Sequence, residues 1–137
     1  MSESAFEFVL ELPIRYRDLD PLNHVNNTVY ATYLEQARID YLDAVLEAPL
    51  DDREFVLVHL EIDYRDSIEY DDDLSVALRV TDIGTTSLSF GYEVRADDTV
   101  AATGETTQVF MGDDRTPTPL PEAWRETIRQ FEPGLDA

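Results

Sequence analysis

A chain of 137 residues with 43% apolar content suffices for one domain with a real core, and no apolar run in it is long enough to cross a membrane. The absence of cysteine excludes disulfides, thiolate metal sites and thiol nucleophiles. Thirty acidic residues against ten basic ones, all arginine, leave a formal charge of −20, and with no basic patch visible such a surface repels nucleic acid and anionic membranes.

The opening stretch "MSESAFEFVLELP" carries no basic region ahead of its apolar residues, so no secretory signal is expected and the expected location is cytoplasmic. Phe6, Phe8, Leu10, Leu12, Ile14 and Tyr16 occupy every second position, with Glu7, Glu11 and Arg15 between them, which predicts a half-buried strand. Pro13 lacks a ladder donor, so this strand is expected at a sheet edge or with a bulge. The polar stretch "RDLDPLNHVNN" follows at residues 17–27. Beyond it Tyr30, Tyr33, Leu34, Ala37, Tyr41, Ala44 and Val45 recur at spacings of three and four, predicting a helix from about Thr28 to Glu47 with one broad apolar face. Asn26 or Asn27 is placed to cap it, and Pro49 to mark where it has ended.

From Glu54 to Met111 the pattern is strands. Val58, Leu60, Ile62 and Tyr64 face one way in the first, with His59, Glu61, Asp63 and Arg65 on the other side. Leu74, Val76, Leu78 and Val80 form the apolar side of the second, and Leu88, Phe90, Tyr92 and Val94 that of the third. Asp97 and Asp98 turn the chain into "TVAATGETTQVFM", a strand with weaker patterning and many β-branched residues. Short links between successive strands imply antiparallel pairing. A short C-terminal helix carrying Trp124, Ile128 and Phe131 closes the chain. A long helix with one apolar face needs a sheet to cover, so the prediction is one α+β domain over residues 1–137, with five antiparallel strands against the helix.

The polar stretch is the place to look for chemistry. Pro21 forces Asp20 out of helical geometry, so its carboxylate leaves the chain just before the long helix begins. The first turn of that helix presents unpaired N–H groups with partial positive charge. Such a pairing suits attack on an acyl carbonyl, with N–H groups holding the oxyanion and a carboxylate activating water or attacking directly. The competing reading is structural, because Asp18, Asp20, Asn23 and Asn26 are common turn and cap residues and His24 a common hydrogen-bonding spacer. His24 and His59 lie far apart in sequence without a helical pair, which argues against zinc. Asp71, Asp72 and Asp73 lack an EF-hand loop and read as a solvated turn. There is neither a Gly-rich phosphate loop nor a Gly-x-Ser-x-Gly elbow.

"RYRDLDPLNHVNNTVYATYLEQARIDYL" resembles the opening of the hotdog-fold acyl-CoA thioesterases of the 4-hydroxybenzoyl-CoA thioesterase type. That pattern is Asp-x-Asp, a short turn, then a helix carrying Tyr, Glu and Ala-Arg, matched here by Asp18, Asp20, Tyr30, Glu35, Ala37 and Arg38. "VHLEIDYRDSIEYDDDLSV" and "RTPTPLPEAWRETI" extend the resemblance over nearly the whole chain. It implies a hotdog fold, in which an antiparallel five-stranded sheet wraps one long helix, and hydrolysis of an acyl-CoA thioester without metal or other cofactor. The catalytic carboxylate carries over to Asp20 and the carbonyl-polarising main-chain N–H to Asn27. It also implies a homodimer or homotetramer with clefts between subunits. "DPLNHVNN" resembles the acyl-carrier-protein thioesterases as well, whose assisting His falls on His24, although Leu22 stands where they carry an assisting Asn. Asn23 stands where many relatives have Gly, and Asn tolerates the positive φ such a turn needs. Asn26 and Tyr30 are the expected substrate-binding residues. Alternatives to acyl-CoA hydrolysis are action on an acyl-carrier-protein thioester, a non-catalytic acyl-CoA-binding protein, and a hydratase of the same fold. The ten arginines are the natural partners for CoA phosphates.

The carboxylates punctuate nearly every segment and do not form one tail, which suggests a surface selected as a whole for a salt-accumulating cytoplasm. In molar salt the screening length shrinks to about 3 Å and self-repulsion is quenched. The alternative is an ordinary acidic protein. The halophilic reading predicts a melting temperature that rises from low to molar KCl; a flat profile in a KCl series would sink it.

Overall fold

The computed structural model describes residues 6–47 and 54–135. Its strands are β1 (Phe8–Leu12), β2 (Phe55–Tyr64), β3 (Leu74–Ile83), β4 (Ser87–Ala96) and β5 (Thr99–Phe110), and its helices α1 (Val29–Tyr41) and α2 (Glu122–Phe131). A short 3-10 turn spans Tyr16–Asp18, and a π-helical turn at Leu42–Leu46 continues α1. The strands form one antiparallel sheet in the order β1-β3-β4-β5-β2, packed against α1. This is the hotdog fold.

The alternation read from β3 and β4 places Leu74, Val76, Leu78, Val80, Leu88, Phe90, Tyr92 and Val94 in the core. From α1 come Tyr30, Tyr33, Leu34, Ala37 and Tyr41. Leu34 lies so close to β5 that a Cβ on Gly104 would meet its Cδ1 at 3.2 Å and the Glu61 carbonyl at 3.1 Å. β1 is an edge strand and ends at Leu12, one residue before Pro13, as the missing donor requires.

Three features depart from the sequence pattern. The helical periodicity fails after Tyr41, where the π turn adds a residue and rotates the face; Leu42 is buried, Val45 half-buried and Ala44 exposed. Glu47, at φ 54°, ends the helix in left-handed geometry, while Pro49 lies outside the described residues. In β2 the register slips between Leu57 and His59, so Val58 sits on a bulge. Phe55 and Leu57 thereby share the helix-facing side with Leu60, Ile62 and Tyr64. Finally, β2 and β3 are joined by only residues 65–73 yet are not neighbours, since β2 pairs with β5. That link carries the fully buried Ile68 and returns beneath the polar stretch, where the Ile68 carbonyl accepts the Val25 N–H at 2.7 Å.

The C-terminal end is fastened by a buried carboxylate. Glu132 is 4% exposed and accepts the Tyr41 hydroxyl at 2.5 Å and the Val80 N–H at 3.0 Å, the latter beside a register slip in β3. Burial raises the Glu132 pKa above the ordinary 4.5, opposed by those two hydrogen bonds and by Arg79. The folded chain therefore holds this proton more tightly than the unfolded one. The resulting stability is fully present below 4.5 and lost as pH rises through the folded pKa. The stability difference between wild type and E132Q, followed by urea denaturation in molar KCl, should shift toward the wild type as pH falls from neutrality to 4.5. A difference independent of pH would refute this.

Candidate active site

The polar stretch folds as a small hairpin. Leu19 bridges Val25, the Asp20 N–H donates to the His24 carbonyl at 2.8 Å, and the Asn23 N–H donates to the Asp20 carbonyl at 2.9 Å. Pro21 and Leu22 form the turn, and Asn23 follows at φ 66°, the positive angle that asparagine tolerates. Asp18 holds the hairpin on the helix. It is 2% exposed; its Oδ2 accepts the Tyr33 hydroxyl of α1 and the Arg15 N–H, both at 2.9 Å. The Asp18 carbonyl accepts the Asn26 N–H at 2.8 Å across the hairpin base. Burial and the neighbouring Asp18 carboxylate together push the Tyr33 hydroxyl pKa upward, so it stays a donor.

Asp20 is half-buried. Its Oδ1 accepts the Leu22 N–H at 2.9 Å and the His24 N–H at 3.1 Å, while Oδ2 has no partner among the described residues. His24 thus meets Asp20 through its main chain. Just before the helix the Asn26 Oδ1 accepts both the N–H and the hydroxyl of Thr28 at 2.9 Å, an Asx turn; the N-cap is Thr28, without a side-chain cap, and neither Asn26 nor Asn27 as the sequence suggested. The Asn26 carbonyl accepts the Val29 N–H at 2.9 Å, which fixes the peptide plane whose other end is the Asn27 N–H. That N–H donates to nothing among the described residues, and Asn27 is exposed. The Tyr64 hydroxyl donates to the Asn27 carbonyl at 2.7 Å and ties the end of β2 to this point.

Asp20, His24, Asn26 and Asn27 are therefore brought together on the hairpin and the helix start. Tyr30 is not part of that surface: it is 2% exposed, its ring packs edge-on to Tyr64 at 4.9 Å, and burial pushes its hydroxyl pKa up to about 12. His59 stands apart on the outer side of the sheet, exposed with Glu61 and Glu105, whose ligand atoms lie within 4.8 Å of one another. Tyr64 and the positioning carboxylate Asp18 were not singled out for these roles by sequence reasoning. Asp18 was visible only as half of the Asp-x-Asp pair, and its partner Tyr33 stands fifteen residues away. Among the described arginines, Arg17 and Arg65 are exposed and their side chains have no hydrogen-bond or ion-pair partner. One precedes the hairpin and the other follows Tyr64.

An open carboxylate oxygen on the hairpin and an open main-chain N–H at the helix start are two groups that acyl transfer or acyl hydrolysis can use. The chain belongs to the Thioesterase-like superfamily, whose profile matches residues 14–128. It is similar to a thioesterase from Thermus thermophilus solved in complex with coenzyme A and Zn, at 37% identity and a TM-score of 0.86, covering 94% of this chain and 96% of that one. It is also similar to a predicted thioesterase from Bacillus stearothermophilus, at 25% identity and a TM-score of 0.83 over 90% of this chain and 95% of that one. A third similar structure is a thioesterase superfamily protein from Jannaschia sp. CCS1, at 25% identity and a TM-score of 0.85 over 96% and 87%. No curated protein matches the chain. Membership in this superfamily supports thioesterase activity in general.

The hairpin's attachment is testable without any substrate. Removing either member of the Asp18–Tyr33 pair leaves a buried group unpaired, at about 1–3 kcal/mol. D18A and Y33F should each destabilise the fold, and together by clearly less than their sum, with a coupling of about 0.5–3 kcal/mol by denaturant titration. Additive losses would mean that the two side chains do not act as a pair.

Proposed function

We propose that the chain is an acyl-CoA thioesterase of the 4-hydroxybenzoyl-CoA thioesterase type, yielding a free acid and CoA. One observation carries the reading: Asp20 has one oxygen fixed by two main-chain N–H groups and the other open, and the Asn27 N–H at the helix start is open as well. Two donors on Oδ1 hold the carboxylate as an oriented acceptor, as a general base requires. The thioester oxygen docks on the Asn27 N–H, where the partial charge of α1 adds to the hydrogen bond. Asp20 takes a proton from water as the water oxygen bonds to the acyl carbon. The C–S bond then breaks, and the protonated Asp20 returns its proton to the leaving thiolate, which gives CoA thiol and the free acid. In the nucleophilic variant of this chemistry Asp20 bonds to the acyl carbon and displaces the CoA thiolate, and water then hydrolyses the mixed anhydride; attack of labelled water at the Asp20 carbonyl carbon in a single turnover leaves the label in Asp20.

The His24 ring makes no hydrogen bond among the described residues and is available to hold the attacking water. Asn26 retains its side-chain N–H groups for substrate, because the Asx turn uses only its Oδ1. Arg17 and Arg65, unpaired on either side of the hairpin, are the candidates for the CoA phosphates. The similar Thermus protein, complexed with coenzyme A, supports a CoA ligand. β2 supports an oligomer. It is a sheet edge of ten residues on which Val56, Leu57, Val58, Leu60 and Tyr64 are all exposed, and such an edge invites pairing. We place the two-fold of a homodimer there, with β2 antiparallel to its copy.

D20N keeps the shape of the carboxylate and removes its charge. It should lower kcat for release of CoA thiol about 10²–10⁴-fold, assayed in molar KCl with short, long and aromatic acyl-CoAs. Wild-type turnover by D20N would refute the assignment of Asp20.

A further inference from the structure

A cavity between α1 and the β2–β5 edge holds a polar group that this chemistry leaves unused. It measures about 240 Å³ and is lined by Arg38, Phe55, Leu57, Leu88 and Phe90 around Gln108. Gln108 is 4% exposed, and neither its Nε2 nor its Oε1 has a hydrogen-bond partner among the described residues. The register explains why. Gln108 is paired with Leu57 on β2 and with Leu88 on β4, so both cross-strand neighbours are leucines. An apolar side chain at this point would pack as well and leave nothing unpaired. Arg38 does not answer the amide: its Nη1 donates to the Tyr92 hydroxyl at 3.2 Å, and Tyr92 is in turn bonded to Thr106 at 2.6 Å.

We propose that Gln108 is a specificity-determining residue that receives a hydroxyl carried by the acyl group, remote from the thioester. The proposal rests on the thioesterase reading and deepens it. The amide offers donor and acceptor together, and a hydroxyl answers both. A carboxylate would answer only the donor. A cavity of about 150 Å³ admits benzene, so this one takes a branched or cyclic group with its hydroxyl. In the proposed dimer, antiparallel β2 edges set the Phe55 end of one strand toward the Tyr64 end of the other. The cavity then faces the hairpin of the second copy.

The test compares kcat/KM in molar KCl for pairs of acyl-CoAs that differ only by a hydroxyl at the far end, in wild type and Q108M. The wild type should prefer the hydroxylated member by about tenfold or more, since the alkyl analogue leaves the amide unpaired. Q108M should lose that preference and melt at a higher temperature. A wild type indifferent to the hydroxyl, or a preference that survives in Q108M, overturns the proposal. Non-hydrolysable thioether analogues separate it from the thioesterase reading. The Gln108 side-chain amide resonance, identified by its absence from Q108M, should move with the hydroxylated analogue and not with the alkyl one. That movement without hydrolysis of any acyl-CoA would remove the thioesterase reading and keep Gln108 as a ligand contact. Hydrolysis of both members alike, with a still resonance, would do the reverse. Neither signal would remove both.

Discussion

The carboxylate of Asp18 governs the geometry of the candidate site. A hairpin this short has no core of its own and would drift relative to the helix that follows it. Asp18 prevents this by reaching back to the Arg15 N–H and across to the Tyr33 hydroxyl, while its own carbonyl closes the hairpin base through Asn26. Buried carboxylates are stable only when their acceptor sites are filled, so the contact tolerates little rearrangement. Asp20, two residues on, inherits its position from that constraint. Asn27 inherits its own from the Asn26 carbonyl and from Tyr64. The base and the oxyanion donor of the proposed reaction are thus set by one continuous run of hydrogen bonds on a rigid helix. Electrostatic preorganisation requires this arrangement.

The strand order extends the same logic to the ligand side. Because β2 crosses over to pair with β5, its end can reach Asn27 while its helix-facing residues line the seam along α1. The bulge at Val58 turns Phe55 and Leu57 onto that seam, where Phe55 joins Phe110 and Trp124 in an aromatic cluster. The inner face of the sheet is then unequal. Toward β1 it is closed by Phe8, Tyr41, Phe90 and Phe131 in edge-on contact, a packed core. Toward β2 it carries Gln108, Thr106 and the Arg38–Tyr92 pair, with a cavity among them. Polar groups on a sheet's core face are tolerated where a ligand uses them. Both the cavity and the hydrogen-bonded helix start lie on this side.

What the sequence disclosed followed from local physics. Period-two alternation placed the core residues of β3 and β4, and Pro13 placed β1 at an edge, because both depend on a few neighbouring positions. Pro21 and the approaching helix made Asp20 a candidate by position, ordinary turn chemistry explained it equally, and the family resemblance singled it out; the positive φ of Asn23 was legible through the side chain that tolerates it. The π turn was hidden because Ala44 and Val45 continue a helical spacing that the backbone abandons. The bulge at Val58 was hidden because a one-residue slip leaves the apolar pattern plausible on either side. Tyr33, Tyr64 and Gln108 owe their roles to partners or gaps brought together by the sheet. Gln108 in particular sits in a weakly patterned strand, where nothing local marks it as facing inward.

On the CoA reading, a charge of −20 and an anionic ligand are compatible only if electrostatics is local. At low salt the summed field of thirty carboxylates reaches well beyond the site, and CoA would be repelled before any contact formed. At molar salt the screening length falls to about 3 Å, so that only groups at hydrogen-bonding distance still act. The surface then becomes almost neutral to an approaching phosphate, while the contacts proposed for Arg17 and Arg65 would keep their short-range hold. On the proposed CoA and halophilic readings, the acidic surface and the sparse, unpaired arginines around the hairpin form one solution for binding an anion in concentrated salt. In that setting the field cannot steer the substrate. Affinity has to come from contact, which places the burden of recognition on the seam between α1 and β2.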